Sequence, residues 1–210
     1  MTGRPDAVAT QRNRQPILEV LQHELHGDES VLEIGSGTGQ HAVYFASEMP
    51  GLTWQTSDVA ENHAGIEAWR EWSGLSNVVA PLLLDVADCP PLERRFEAVF
   101  SANTAHIMTI GQAESMFVIA GGVLAEGGIF CLYGPFNRNG EFSSDSNAQF
   151  DRSLKLQNPS MGIRDLADLE RFAGHAGLHR ERLYAMPANN LLAVWRKGAG
   201  AEPGPGQDGE

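Results

Sequence analysis

Residues 31–46 read VLEIGSGTGQHAVYFA, an apolar run that stops at three alternating glycines and resumes as a helix-like stretch. Strand, glycine turn and helix in that order are the local signature of an α/β fold that offers its backbone to a ligand. Gly35, Gly37 and Gly39 carry no Cβ, so the chain can turn sharply there and pass close to a bound molecule. The reading of every other segment follows from this turn.

Upstream, RNRQPILEVLQHEL predicts a helix opening at Pro16, with Ile17, Leu18, Leu21 and Leu25 on one side. Downstream, GQHAVYFASEM predicts a helix with Val43, Ala46 and Met49 in phase. Strands are then expected at LTWQTSD, NVVAPLLLD, FEAVFSAN and GGIFCLYG. A helix through Ile66, Trp69 and Trp72 follows the second strand, and one bearing Met116, Ala120, Val123 and Leu124 precedes the fifth. Such alternation requires crossovers, hence an α/β class with a mainly parallel sheet and helices on both faces. Residues 135–163 break the rhythm as an insertion on the substrate side, with one short helix near 148–156. RDLADLERFAGHAG then resumes helical phase through Leu166, Leu169 and Phe172. RERLYAM and NLLAVWRK are joined by little more than Pro187, Ala188 and Asn189, a link that permits only an antiparallel hairpin. The expectation is one domain over residues 1–197, with 198–210 a Gly/Pro-rich disordered tail.

Lys and Arg number 15 against 27 Asp and Glu, a net charge of −12. That balance repels phosphate backbones and anionic lipid, so nucleic acid and membrane are not expected partners and a small molecule is. No apolar run approaches the ~20 residues of a membrane span, and the first residues hold no secretory h-region. Cys89 and Cys131 form no disulfide framework, Cys131 reading as a small buried hydrophobe. The chain therefore reads as cytoplasmic. Its seven histidines are scattered, and neither His23/His26 nor His175/His179 has an acidic or cysteine partner at ligand spacing, so no metal is expected.

The glycines are spaced G-x-G-x-G, and Gln40 stands where the dinucleotide fingerprint puts its third glycine. With Glu33 before them they resemble the E/D-x-G-x-G-x-G turn of class I methyltransferases, which implies S-adenosylmethionine as cofactor and S-adenosylhomocysteine as product. A dinucleotide lays its pyrophosphate on the helix N-terminus. S-adenosylmethionine has no phosphate, and its amino group asks for a carboxylate such as Glu33. Asp58, closing the second strand, is placed to accept from ribose hydroxyls. Asp85, closing the third, suits the adenine amino group, with Val86 beside its ring. Three acids ending three successive strands mark the edge where α/β sheets bind ligands; each can otherwise cap the following helix. The expected cofactor surface also takes in Gly35, Ser36, Gly37, Thr38, Gly39, His41, Val59 and Asn103. Tyrosine followed four positions later by lysine, common in short-chain dehydrogenases, is absent.

The segments EIGSGTGQHAVYFA, LTWQTSD, ANTAHI, LYGPF, SNAQFDRSL, GIRDL and MPANN are together similar to the methyltransferase-like 26 family, also called domain of unknown function 938. The resemblance runs from RNRQPIL to VWRK. It implies a Rossmann-like class I methyltransferase with a seven-stranded sheet and an antiparallel C-terminal hairpin, and it names no acceptor. Three positions depart from the family pattern: Met161 stands for a tryptophan, Val59 for a proline, and ANTAHI for ANMIHI.

Methyl transfer is an in-line displacement, so the protein mainly aligns the acceptor and excludes water. His106, just past the fourth strand, is the candidate base, since an imidazole of pKa about 6.5 suits proton removal near neutrality; otherwise it is a satisfied core histidine. Tyr133 is the second candidate, able to hydrogen-bond an O, N or S acceptor, and Phe136 is placed to stack on it. Asn147, Phe150, Asp151, Arg164 and Asn189 are candidate substrate selectors. Pairing of Asp151 with Arg164, and positive φ at Asn189 and Asn190, are the plainer readings of those residues. Arg12, Asn13 and Arg14 are placed to close over a cofactor carboxylate, or else are solvated. A non-catalytic S-adenosylmethionine-binding protein and an NAD-dependent oxidoreductase are the alternative functions.

Overall fold

The computed structural model describes residues 3–198. In chain order the elements are α1 (Val8–Glu24), β1 (Ser30–Ile34), α2 (Gln40–Glu48), β2 (Thr53–Asp58), α3 (Ala60–Ser73) and β3 (Val78–Leu83). They continue with β4 (Phe96–Ala102), α4 (Ile110–Val123), β5 (Leu124–Gly134), β6 (Phe136–Asn137) and α5 (Asp145–Gln157). The last are β7 (Arg164–Asp165), α6 (Leu166–His175), β8 (Leu178–Met186) and β9 (Asn190–Lys197). A seven-stranded sheet runs β3-β2-β1-β4-β5-β9-β8. Strands β1 to β5 pair parallel, while β9 lies antiparallel between β5 and β8. The order reverses between β1 and β4, and a crevice opens there at the carboxyl ends of the strands.

Alternation along the strands feeds two cores. Val99, Phe130, Leu132 and Trp195 face α4 and α6. Phe100, Cys131, Tyr133 and Val194 face α1 and α2, among Ile17, Leu21, Phe45 and Trp54. Continuous apolar strands are what a sheet covered on both faces requires.

Several expectations change in the folded chain. Helix α1 opens at Val8, with Pro16 inside it at the loss of one helix bond. Its polar first half is held by tertiary contacts, which periodicity does not register. Trp72 is 61% exposed, with the Arg4 guanidinium 3.7 Å from its ring centroid and Trp69 edge-on at 5.4 Å, so it does not join Ile66 in the core. Leu124 begins β5 and is buried there. The 135–163 insertion carries α5 and is closed by a short parallel ladder between β6 and β7. Residues 199–210, expected to be a tail, lie outside the described residues. Among the described residues no helix is long and apolar enough to cross a membrane.

Candidate active site

The glycine turn is folded over the neighbouring strand. Gly35 and Ser36 amides both donate to the Ser57 carbonyl, at 3.1 and 2.9 Å. Gly35, Gly37 and Gly39 have φ of 75°, 57° and 86°, the left-handed region that costs other L-residues about 1–2 kcal/mol. A Cβ on Gly35 would lie 2.7 Å from Thr104 Cγ2, and one on Gly39 2.9 Å from Ile66 Cα. At Gly37 it would meet nothing within 4 Å. The Gly37 amide donates to Asp58 Oδ2 at 2.7 Å, while Asp58 Oδ1 accepts from the Val59 amide and Asn62 Nδ2 at 2.8 and 2.9 Å. Asp85 Oδ1 accepts from the Ala87 amide at 2.9 Å.

These groups border a cavity of about 360 Å³ at the carboxyl ends of β1 to β4. Gly35, Gly37, Asp58, Val59, Asp85 and Val86 line it, and Asn103 closes it at φ 60°. Leu84, Ile107 and Met108 make the remaining wall largely apolar, with Asn62 and Gln112 adding polar side chains. Sequence reasoning missed these last five. For two of them a signal existed: Asn62 is four positions past Asp58, and Gln112 completes the Thr109-x-x-Gln112 capping box of α4.

The other cofactor candidates support the turn from behind. Glu33 is buried, accepts from Trp54 Nε1 at 3.1 Å, and is pushed by burial up to about 7. Ser36 Oγ accepts from the Ser57 amide at 3.1 Å, and the Thr38 hydroxyl donates to Gln40 Oε1 at 3.0 Å. His41 is stacked on Phe45, with Nε2 2.8 Å from Asn13 Oδ1. Burial and then the Arg14 charge lower it to about 4, so it is neutral. Arg14 itself lies over the Tyr44 ring. Gln40 opens α2, and its side chain accepts from the Ala7 amide and donates to Asp6 Oδ1, both at 2.6 Å.

His106 is buried beside the cavity wall rather than on it. Its ring meets Phe150 edge-on at 5.2 Å, and its carbonyl accepts from the Gly162 amide at 2.9 Å. Burial and then the Arg164 charge lower it to about 4, so the ordinary imidazole pKa does not apply and the group is a weaker base than expected. Tyr133 is carried by strand alternation to the α1/α2 face, where its hydroxyl meets Asn13 and Asn190 and burial raises its pKa. Phe136 fills the opposite core. Neither lines the cavity.

On the insertion, Asn147 Nδ2 donates to Ser143 Oγ at 2.8 Å and to the Asn189 carbonyl at 3.1 Å. Phe150 is 39% exposed over His106. The alternative pairing of Asp151 with Arg164 does not form. Asp151 accepts from the Ile163 amide at 2.9 Å and from Lys155 at 2.6 Å, because Lys155 is one helical turn away. Arg164 donates instead to the carbonyls of Ala105, Met108 and Ser160. Asn189 has φ 57° as expected, but Ala188 rather than Asn190 takes the second left-handed position.

Over residues 4–197 the sequence matches the family described as "Protein of unknown function (DUF938)". The fold resembles an O-methyltransferase family protein from Burkholderia thailandensis (TM-score 0.79, 16% identity, 91% of this chain and 58% of that one). It also resembles CalO1, a methyltransferase in calicheamicin biosynthesis solved with SAH bound (0.70, 18%, 89% and 54%). A third similar structure is an O-methyltransferase family 2 protein from Planctomyces limnophilus in complex with apigenin (0.72, 14%, 88% and 61%). The chain spans little more than half the length of these proteins, and the shared part is the Rossmann-like class I methyltransferase fold.

Proposed function

The chain belongs to the DUF938 family, and we propose that it is a methyltransferase that moves the methyl group of S-adenosylmethionine to an O, N or S atom of a small molecule. The finer assignment to methyltransferase-like 26 is part of the same proposal. The observation that carries it is the combination of two carboxylates, Asp58 and Asp85, with glycine backbone and apolar side chains around one cavity. At the N-terminus of α2, where a dinucleotide sets its phosphates, Gln40 holds the Asp6 carboxylate. An anion there would meet a like charge.

The residues present fit S-adenosylmethionine. The space a Cβ would fill at Gly37 is open, so backbone can lie against the cofactor. Asp58 would accept ribose hydroxyls with its remaining lone pairs, and Asp85 would keep an oxygen for the adenine amino group. Leu84, Val59 and Val86, which line the cavity, would pack against the adenine. When bound, the cofactor supplies a methyl group already activated on a sulfonium. The chain's part is alignment and water exclusion by the wall at Asn103, Ile107 and Met108. His106, neutral near pH 7 and buried against Phe150 beside the cavity wall, is the proposed group that orients the acceptor. Phe150, Asn147 and Asn189 border the acceptor side, and Tyr133 and Phe136 hold the strand end that faces it. The net charge of −12 supports a neutral or cationic small acceptor over nucleic acid.

Calorimetric titration with S-adenosylmethionine, S-adenosylhomocysteine and NAD tests the reading. We expect the first two to bind and Asp58→Ala to weaken both about 10- to 100-fold, as loss of charge-assisted hydrogen bonds does. Binding of NAD alone would overturn it.

A further inference from the structure

The segment Gly162 to Arg164 lines no part of the cavity, yet it is bonded to the turn that walls it. The Gly162 amide donates to the His106 carbonyl at 2.9 Å. Arg164 Nε donates to Ala105 O at 3.2 Å, and Nη2 to Met108 O at 3.1 Å and Ser160 O at 2.9 Å. One guanidinium thus joins carbonyls from two separate loops, a task suited to its rigid fork of donors. The base of the turn is held by the sheet, the Asn103 amide donating to Tyr133 O at 2.9 Å and Thr104 Oγ1 lying 2.7 Å from Ser101 Oγ, while its far half is tied to the insertion through Gly162 and Arg164. The turn's own backbone bonds are those from the Ile107 and Met108 amides to Thr104 O, at 3.0 and 3.3 Å. Asn103 sits at φ 60°, and Ile107 is 50% exposed.

The insertion side is anchored independently. Ile163 donates to the buried carboxylate of Asp151, and Met161 donates to Asn158 O, both at 2.9 Å. A Cβ on Gly162 would lie 2.9 Å from Asp151 Oδ1, so the strap needs glycine there. Arg164 is therefore fixed at its base while its head grips the turn.

We propose that Arg164 is a positioning residue that clamps the 103–108 turn to the insertion, so that the wall of the cofactor cavity and the acceptor side are ordered together. The coupling to cofactor rests on the function proposed above; the clamp does not. Because coupling between sites is reciprocal, ligand in the cavity orders the strap at 160–163, and the strap raises affinity for the ligand.

Amide hydrogen exchange on the wild-type chain, Arg164→Ala and Arg164→Lys, paired with titration of S-adenosylhomocysteine, decides this. In Arg164→Ala the Ile107 and Met108 amides should exchange about tenfold faster while those of β1 and β4 keep their protection. Affinity for S-adenosylhomocysteine should fall about tenfold. Arg164→Lys, which reaches fewer carbonyls, should lie between the two. In the wild type the ligand should slow exchange at 160–163, and in Arg164→Ala it should not. Unchanged exchange of the turn in both variants, or equal acceleration throughout the sheet, would overturn the clamp. If the wild type fails to bind S-adenosylhomocysteine, the methyl-donor reading falls while the exchange result still decides the clamp.

Discussion

At Glu33 a carboxyl group sits in the core with one indole hydrogen bond, and burial raises it from 4.5 to about 7. A carboxyl raised in the folded state contributes stability that is fully present below the unfolded pKa and is lost as pH rises through the folded one. Glu33→Gln keeps an acceptor for Trp54 and cannot ionise. In urea unfolding without ligand it should match the wild type near pH 4.5 and exceed it by about 1–3 kcal/mol at pH 8. A difference that does not change with pH would refute this account. His106 has the opposite sign: its pKa falls from 6.5 to about 4, so stability from its neutral form is present above 6.5 and lost as pH falls through 4. Turnover should accordingly show no histidine inflection near 6.5 and decline only toward pH 4. His106→Ala should cost less than the 10²- to 10⁴-fold typical of a matched general base, about tenfold or so. A full 10⁴-fold loss in a kinetic assay would mean that His106 does more than orient the acceptor. Glu33 and His106 were both legible as candidates from their positions, near the end of β1 and just past β4. Their protonation was not, because desolvation depends on neighbours distant in sequence.

Among the elements, the glycine turn separates folding from binding. Gly35→Ala combines φ 75° with a 2.7 Å approach to Thr104, and should destabilise the fold by about 2 kcal/mol or more. Gly37→Ala has φ 57° and open space, so it should cost about 1 kcal/mol in stability while weakening S-adenosylhomocysteine. Thermal unfolding beside calorimetry distinguishes the two; equal stability losses would contradict the geometry. Strands β1 to β5 were readable from their short runs between turns and helices, although β2 is largely polar and β3, at the sheet edge, is partly exposed. The start of α1 was not, since VATQRNRQ carries no apolar stripe. Those turns are fixed by Asn13 against His41, and the preceding chain by Asp6 and Ala7 against Gln40. In the insertion the helix expected near 148–156 is α5, longer at its start, while the rest escaped periodicity because its order comes from single hydrogen bonds such as that from the Ile163 amide to Asp151.

Across the whole molecule, α1 is tied to the far edge of the sheet through Glu24. Its buried carboxylate accepts two bonds from Arg182 at 2.5 Å each and one from the Tyr184 hydroxyl. Burial pushes Glu24 up, but the Arg182 and Tyr184 hydrogen bonds and the Arg182 charge leave it below the usual range. Arg182→Ala strands that carboxylate and should destabilise by about 1–3 kcal/mol, discounted because Arg182 is partly exposed. Adding Glu24→Gln should recover part of the loss in a double-mutant cycle; strict additivity would show that the pair does not couple. The sequence by itself determined the alternation of strands and helices, the antiparallel hairpin, the glycine turn and the two acids that face its cavity. These follow from apolar periodicity, loop length and the conformational freedom of glycine, all local properties of the chain. Only the tertiary structure decided which candidates reach the cavity, that Tyr133 and Phe136 pack in opposite cores, and that Arg164 grips backbone carbonyls instead of Asp151. Those outcomes depend on strand pairing and burial between residues tens of positions apart, where the energy of a contact has no trace in the order of letters.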